Sequence, residues 1–142
     1  MEDSDLNAWF ELRKKLWDVT VEEDHKAEML EILDNPDNEL VLVAESPEGN
    51  LLGFLEASIR PFVEDCETEN VGYLEGWFVD PAYRRRGIGA QLVRTAEAWA
   101  RRRGCLEMAS DAEIGNDVSL AAHLSLGYAE TSRLVHLRKE LE

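Results

Sequence analysis

The sequence predicts a mixed α/β (α+β) fold with a mostly antiparallel central sheet, flanking helices and the order ααβββαβαβ. Three observations predict it. Two helical stripes open the chain, a turn-punctuated hairpin follows them, and from residue 71 onward strands alternate with helices.

Each element has a local reason. Leu6, Trp9, Phe10, Leu12, Leu16 and Trp17 recur at helical spacing behind Ser4 or Asp5, either of which suits an N-cap. A second helix is predicted from Asp24 to Leu33, ended by Asn35-Pro36. Leu40 to Glu45 alternates as a strand, Ser46-Pro47-Glu48-Gly49-Asn50 has turn chemistry, and Leu51 to Ile59 returns. Residues 60–70 form a polar loop rich in acids, and Val71 to Val79 is an apolar run broken by Asp80-Pro81. Gly87 to Arg103 is an amphipathic helix with Ile88, Leu92, Val93, Ala96 and Trp99 on one face. A strand over Cys105–Ser110, a helix from Asn116 to Leu126 closed by Gly127, and a last strand over Tyr128–Lys139 complete the series.

At 142 residues the chain is expected to form one domain, 1–142, large enough for a core without staples. Net charge is -15, so a general nucleic-acid binder, which needs a basic surface, is not expected. The acids are uneven. Residues 1–76 carry 21 acids and 5 bases, whereas residues 77–142 carry 9 and 10, including Arg84-Arg85-Arg86. That split suits one cationic and one anionic ligand, and it also suits a surface on which acids merely accumulated in one half. Cys66 and Cys105 lack zinc spacing and read as reduced thiols, so no metal is expected. The acidic start MEDSDLNAWFELRKK has no apolar signal segment, and no apolar run approaches the roughly 20 residues of a membrane span. The expected location is the cytoplasm, with no membrane partner.

The segment from Trp77 to Ala90 carries the chemistry: a strand, an Asp-Pro turn, then Arg84-x-x-Gly87-x-Gly89 opening a helix. A helix N-terminus presents unpaired N–H groups and a positive dipole end, glycines allow close backbone approach, and arginines add charge. Those are the requirements of a diphosphate. The dinucleotide and P-loop fingerprints do not match.

This segment resembles the GNAT superfamily of acetyl-CoA-dependent N-acetyltransferases. The resemblance implies that Arg84, Arg85, Arg86, Gly87, Ile88, Gly89 and Ala90 hold the pyrophosphate of coenzyme A. It implies that Trp77, Phe78 and Val79 offer their backbone to the pantetheine arm, and that Asn116 contacts the coenzyme. Asn116, Ser119, His123, Gly127 and Tyr128 follow the family's downstream spacing, with His123 where a tyrosine acid is frequent. Residues 12–17, Ala57-Ser58-Ile59-Arg60, Leu74-Glu75-Gly76 and Met108-Ala109-Ser110-Asp111 resemble the aminoglycoside 6'-N-acetyltransferases of the chromosomal enterobacterial and Acinetobacter type. That likeness implies an acceptor site lined by Trp17, Glu75 and Asp111, with Phe62 as the aromatic of a shorter loop. It also implies an acid before the last-strand arginine, where this chain has Ser132, with Glu130 nearby. Homodimers through the C-terminal strand are implied as well, because 14 residues after Tyr128 suffice for only one strand and leave an edge.

The residue types suit amine acetylation. Carboxylates pair with ammonium groups and aromatic faces cover sugars. Glu75 or Asp111 is the candidate proton acceptor, a backbone N–H of Trp77–Val79 the oxyanion donor, and His123 the candidate donor to the departing thiolate. Each has a plain structural reading too: a buried carboxylate, a turn cap, core packing, a packed histidine. His25 and His136 read as ordinary surface or core residues, and Glu22, Glu23 and Asp24 as a solvated helix start. Two alternatives stay open: acetylation of polyamines or another small amine, and a non-catalytic acyl-CoA-binding module.

Overall fold

The computed structural model describes residues 3–142, which fall into two compact units divided after Asp111. The first unit holds α1 (Leu6–Leu16), α2 (Glu22–Leu33), β1 (Glu39–Glu45), β2 (Leu51–Arg60), β3 (Val71–Val79), α3 (Ile88–Arg102) and β4 (Met108–Ser110). The second holds α4 (Asp117–Ser125) and the C-terminal segment. One sheet runs β1-β2-β3-β4, antiparallel through β3 and parallel between β3 and β4.

Local chemistry accounts for the boundaries. Asp5 is the N-cap of α1 but makes no side-chain cap bond there, and a 3-10 turn over Asp3–Asp5 precedes it. The second helix starts at Glu22, earlier than predicted, because Glu22, Glu23 and Asp24 all suit the positive end of the helix dipole. Gly104 and Gly127, both at positive φ, end α3 and α4. Cys105 N–H reaches the Ala100 carbonyl and Tyr128 N–H the His123 carbonyl, at 3.0 and 3.2 Å, satisfying carbonyls that have no partner within the helix.

Two strand expectations need correction. The strand over Cys105–Ser110 shrinks to Met108–Ser110, because Cys105 is spent closing α3 and the ladder with β3 begins only at Gly72↔Met108. The last strand, Tyr128–Lys139, is not formed, so the observed order is ααβββαβα. A strand needs a ladder partner, and among the described residues this segment has none.

Both faces of β2 are covered, since Gly53 to Ser58 are buried without a break. Phe54 joins Trp9, Phe10, Leu12 and Met29 in the core beneath α1 and α2. The amphipathic face of α3 buries Leu92, Val93, Ala96, Trp99 and Ala100, each large side chain contributing roughly 1.5–3 kcal/mol. Gly53 lets β2 and β3 close, because a Cβ there would lie 2.6 Å from the Phe78 carbonyl oxygen. Gly53→Ala should therefore destabilise the protein by about 1–3 kcal/mol in urea titrations, since backbone rather than a movable side chain must give way.

Candidate active site

The site is built on β3. Opposite β2, Gly76 pairs with Glu56 and Leu74 with Ala57, so Glu75 is the extra residue of a β-bulge. On the other edge, the β4 ladder ends at Leu74↔Ser110 while β3 runs on to Val79. Residues 75–79 thus extend past their parallel neighbour, and Trp77, Phe78 and Val79 lie on this stretch. A bulge that re-aims one carboxylate where β3 outruns its parallel neighbour suits a site where two substrates meet.

Glu75 has partners on both oxygens. Arg60 Nε donates to Oε2 at 2.9 Å and Nη2 to Oε1 at 2.5 Å, while the Ser58 hydroxyl donates to Oε2. The Arg60 guanidinium lies 3.6 Å from the centre of the Tyr73 ring, and the Tyr73 hydroxyl donates to Asp111. Burial, then the Asp111 bond, pushes the Tyr73 hydroxyl well above the ordinary phenol range, so it stays a donor. Glu75 and Asp111 therefore belong to one cluster, linked through Arg60 and Tyr73. The link to Asp111 was unforeseen because Tyr73 reads as one more apolar strand residue.

Beside Glu75 opens a cleft of about 260 Å³. Its walls include Trp17, Arg13 and the carboxylates of Glu28, Glu31, Glu39, Glu56 and Glu75. Trp17 leans against β3 where Gly76 leaves room, since a Cβ there would run into the indole. Burial and then the nearby Glu75 raise the Glu39 carboxyl, as expected where acids share one cleft. Glu28, Glu31, Glu39 and Glu56 were missed in the sequence. Two signals mark some of them: a lone acid in the apolar strand Leu51–Ile59, and the i, i+3 spacing of Glu28 and Glu31. Phe62 is 73% exposed on the loop after β2 and does not line this cleft.

The glycine loop opens α3 without a side-chain cap. Gly87 is the N-cap at φ 81°, a Cβ on it would meet nothing within 4 Å, and the first helical bond runs from Gln91 N–H to Gly87. The N–H groups of Ile88, Gly89 and Ala90 thus begin a 15-residue helix without intrahelical acceptors. Gly89 packs on Trp77, where an added Cβ would lie 3.1 Å from the indole, so the loop is held against β3. Arg84 Nε donates to the Val79 carbonyl at 2.9 Å, and Arg86 stacks on Tyr83. Arg85 takes a positive φ of 65°. This combination fits a diphosphate: open donors, a positive dipole end, room for close approach and adjacent guanidinium groups.

Two predicted site residues lie in the second unit. Asn116 caps α4, its side chain accepting from Ser119 N–H at 3.1 Å. His123 is buried, with Nδ1 2.7 Å from the Ser119 carbonyl and its ring edge-on to Tyr128. A carbonyl only accepts, so Nδ1 carries the proton of the neutral ring, and donation from Nε2 requires the imidazolium.

Among the described residues, no group of His, Cys, Asp and Glu is arranged to hold a metal, and no helix is long and apolar enough to cross a membrane. Solved structures with the same fold include AAC(6')-Iy in complex with a bisubstrate analogue, CoA-S-monomethyl-acetylneamine. It has a TM-score of 0.92 and 38% identity, covering 99% of this chain and 95% of that one. The aminoglycoside 6'-N-acetyltransferase AAC(6')-IG of Acinetobacter haemolyticus matches with a TM-score of 0.92 and 42% identity, over 100% and 97% of the two chains. In sequence, the chain is 43% identical to an aminoglycoside N(6')-acetyltransferase type 1 of Klebsiella aerogenes, over 99% of this chain and 94% of that protein. Residues 6–128 match the acetyltransferase (GNAT) family, a span that reaches from α1 into the second unit. With that match over most of its length, the chain belongs to the GNAT family of acetyltransferases.

Proposed function

We propose that the protein transfers the acetyl group of acetyl-CoA to the 6'-amine of aminoglycosides and so gives resistance to them. The observation that carries this reading is the acid-walled cleft with Trp17 on its side, opening beside the Glu75 bulge. An aminoglycoside is a polyhydroxylated polycation, and carboxylates with an aromatic wall are its chemical complement. The names of the full-length relatives support the same substrate class.

The family resemblance supplies the roles, and the geometry of β3 and the head of α3 supports them. Acetyl-CoA, as co-substrate, would lay its diphosphate on the N-terminus of α3 beside Arg84, Arg85 and Arg86, and its pantetheine arm along Trp77–Val79. A backbone N–H on that strand would stabilise the oxyanion as the amine attacks the thioester carbonyl. Glu75 and Asp111 would anchor the acceptor, and one of them would take the proton that its ammonium must lose, directly or through a water. Glu75 is already paired with Arg60, so an incoming ammonium would share or displace that guanidinium. Trp17 would cover a sugar ring, while Phe62, which does not line the cleft, keeps its drug contact on the family resemblance alone. Asn116 as a coenzyme contact and His123 as thiolate proton donor complete the proposal, on the family resemblance.

The test is thiol release from acetyl-CoA with aminoglycosides that carry or lack a 6'-amine. Turnover restricted to the former is expected, and equal turnover with both would overturn the regiochemistry. Turnover only with polyamines, or binding of coenzyme A with no turnover, would overturn the substrate. Asp111→Ala should weaken the aminoglycoside more than acetyl-CoA by titration calorimetry, and equal weakening would remove Asp111 from the acceptor side.

The proposal extends to organisation. Residues 1–142 would act as one cytoplasmic domain, and residues 128–142 would pair with a second copy. Supporting the dimer, this segment has no ladder within the described chain yet leaves Leu134, Val135, Leu137 and Leu141 exposed. Light scattering at micromolar concentration should give a dimer mass, and a monomer mass would count against it.

A further inference from the structure

His25 is completely buried, yet it takes no part in the chemistry proposed above. It stands near the start of α2, with its ring against Phe10 and tilted over Trp17. Arg13 Nε donates to its Nδ1 at 3.2 Å. A guanidinium cannot accept, so Nδ1 is unprotonated and the neutral ring carries its proton on Nε2. That Nε2 lies 3.2 Å from the Trp17 carbonyl, which also accepts from Thr20 N–H. One imidazole thus fixes the end of α1 from two sides.

The other end of this chain of contacts is the cleft wall. Arg13, 1% exposed, places its guanidinium 4.7 Å from the centre of the Trp17 ring. It is held there by Glu56, both of whose oxygens lie 2.7 Å from Nη1, and by Glu28. Trp17 meets β3 at Gly76, next to Glu75. A shift of the Trp17 backbone or of the Arg13 side chain would therefore move the indole relative to Glu75.

We propose that His25 is a positioning residue for the acceptor, holding Trp17 in the cleft wall through the Trp17 carbonyl and through Arg13. The proposal rests on the reading that Trp17 faces the acceptor. It implies that His25 governs acceptor binding without touching substrate, and leaves the acetyl-CoA side alone.

The test uses the full chain labelled with 5-fluorotryptophan, its Trp17 resonance assigned with W17F, together with steady-state kinetics. H25L removes both polar contacts. It should move the Trp17 fluorine signal more than those of the other tryptophans and leave the KM for acetyl-CoA unchanged. It should raise the acceptor KM about tenfold, the scale of one lost buried hydrogen bond. In a W17F background H25L should add nothing to the acceptor KM. An unmoved Trp17 signal, equal rises in both KM values, or the same rise in the W17F background would overturn the proposal. Should H25L not fold, H25Q and H25N decide. Glutamine's amide reaches the Nε2 position and keeps the Trp17 carbonyl contact, so its Trp17 signal and acceptor KM should stay closer to the parent's than those of asparagine, whose amide stops near Nδ1 and keeps only the Arg13 contact. Identical behaviour of the two would overturn it. If the wild-type protein acetylates no aminoglycoside, the substrate reading fails, while the fluorine signals of the free protein still judge His25.

Discussion

Glu75→Gln should lower kcat/KM for an aminoglycoside by about 100-fold, the order set by losing a charge-assisted hydrogen bond of about 2–3 kcal/mol. The isostere keeps the bulge and its packing but removes the charge. Two effects then act together. The acceptor's ammonium loses a carboxylate, and Arg60, no longer neutralised at 2.5 and 2.9 Å, becomes a bare cation beside the incoming one. The KM for acetyl-CoA should not change, because the glycine loop proposed to hold the diphosphate, at the head of α3, is built from other residues. Thiol-release kinetics with each substrate varied in turn check this, and equal rises in both KM values would take Glu75 off the acceptor side.

Arg13→Leu should destabilise the protein by about 3–5 kcal/mol above neutral pH, because it strands the buried Glu56 carboxylate. Burial pushes the Glu56 carboxyl up to about 7, against the downward pull of Arg13 and of the Trp9 indole N–H. Between its ordinary value of 4.5 and about 7, the native state therefore holds a proton that the unfolded chain has released. The contribution of Glu56 to stability falls as pH rises through that window and is flat above it. At pH 5 Glu56 is neutral and the loss of Arg13 should matter less than at pH 8. Denaturant titrations of R13L and the parent at both values check the difference. In E56Q the decline between pH 4.5 and 7 that belongs to this carboxyl should vanish. A loss in R13L that did not depend on pH would show that Arg13 acts by packing alone.

Much of the fold was legible because its signals are local. The stripe in α1, the hairpin turn at residues 46–50, the Asp80-Pro81 break and the glycine stops after α3 and α4 each act within a few residues. The same holds for half of the site. The glycine loop is one contiguous segment, so its residues alone mark an uncapped helix start that can cradle a diphosphate. The last strand, Tyr128–Lys139, is absent for the complementary reason: pairing is a property of two segments, and no local signal in one of them supplies the other.

By itself, then, the sequence determined the class of fold, the order of its first eight elements, the uncapped glycine loop and the uneven charge between its halves. Tertiary structure alone decided which acids form one cleft. Glu28 and Glu31 on α2, Glu39 on β1, Glu56 on β2 and Glu75 on β3 are far apart in the chain, and only strand register and helix packing bring them together. It also decided that Glu75 is the bulged residue, that Arg60 pairs with it, and that His25, unremarkable in sequence, is sealed between Arg13 and Trp17. The physical reason is one of range. Backbone propensity and capping act over a few residues, whereas a cleft is a meeting of side chains whose separation along the chain carries no local signal.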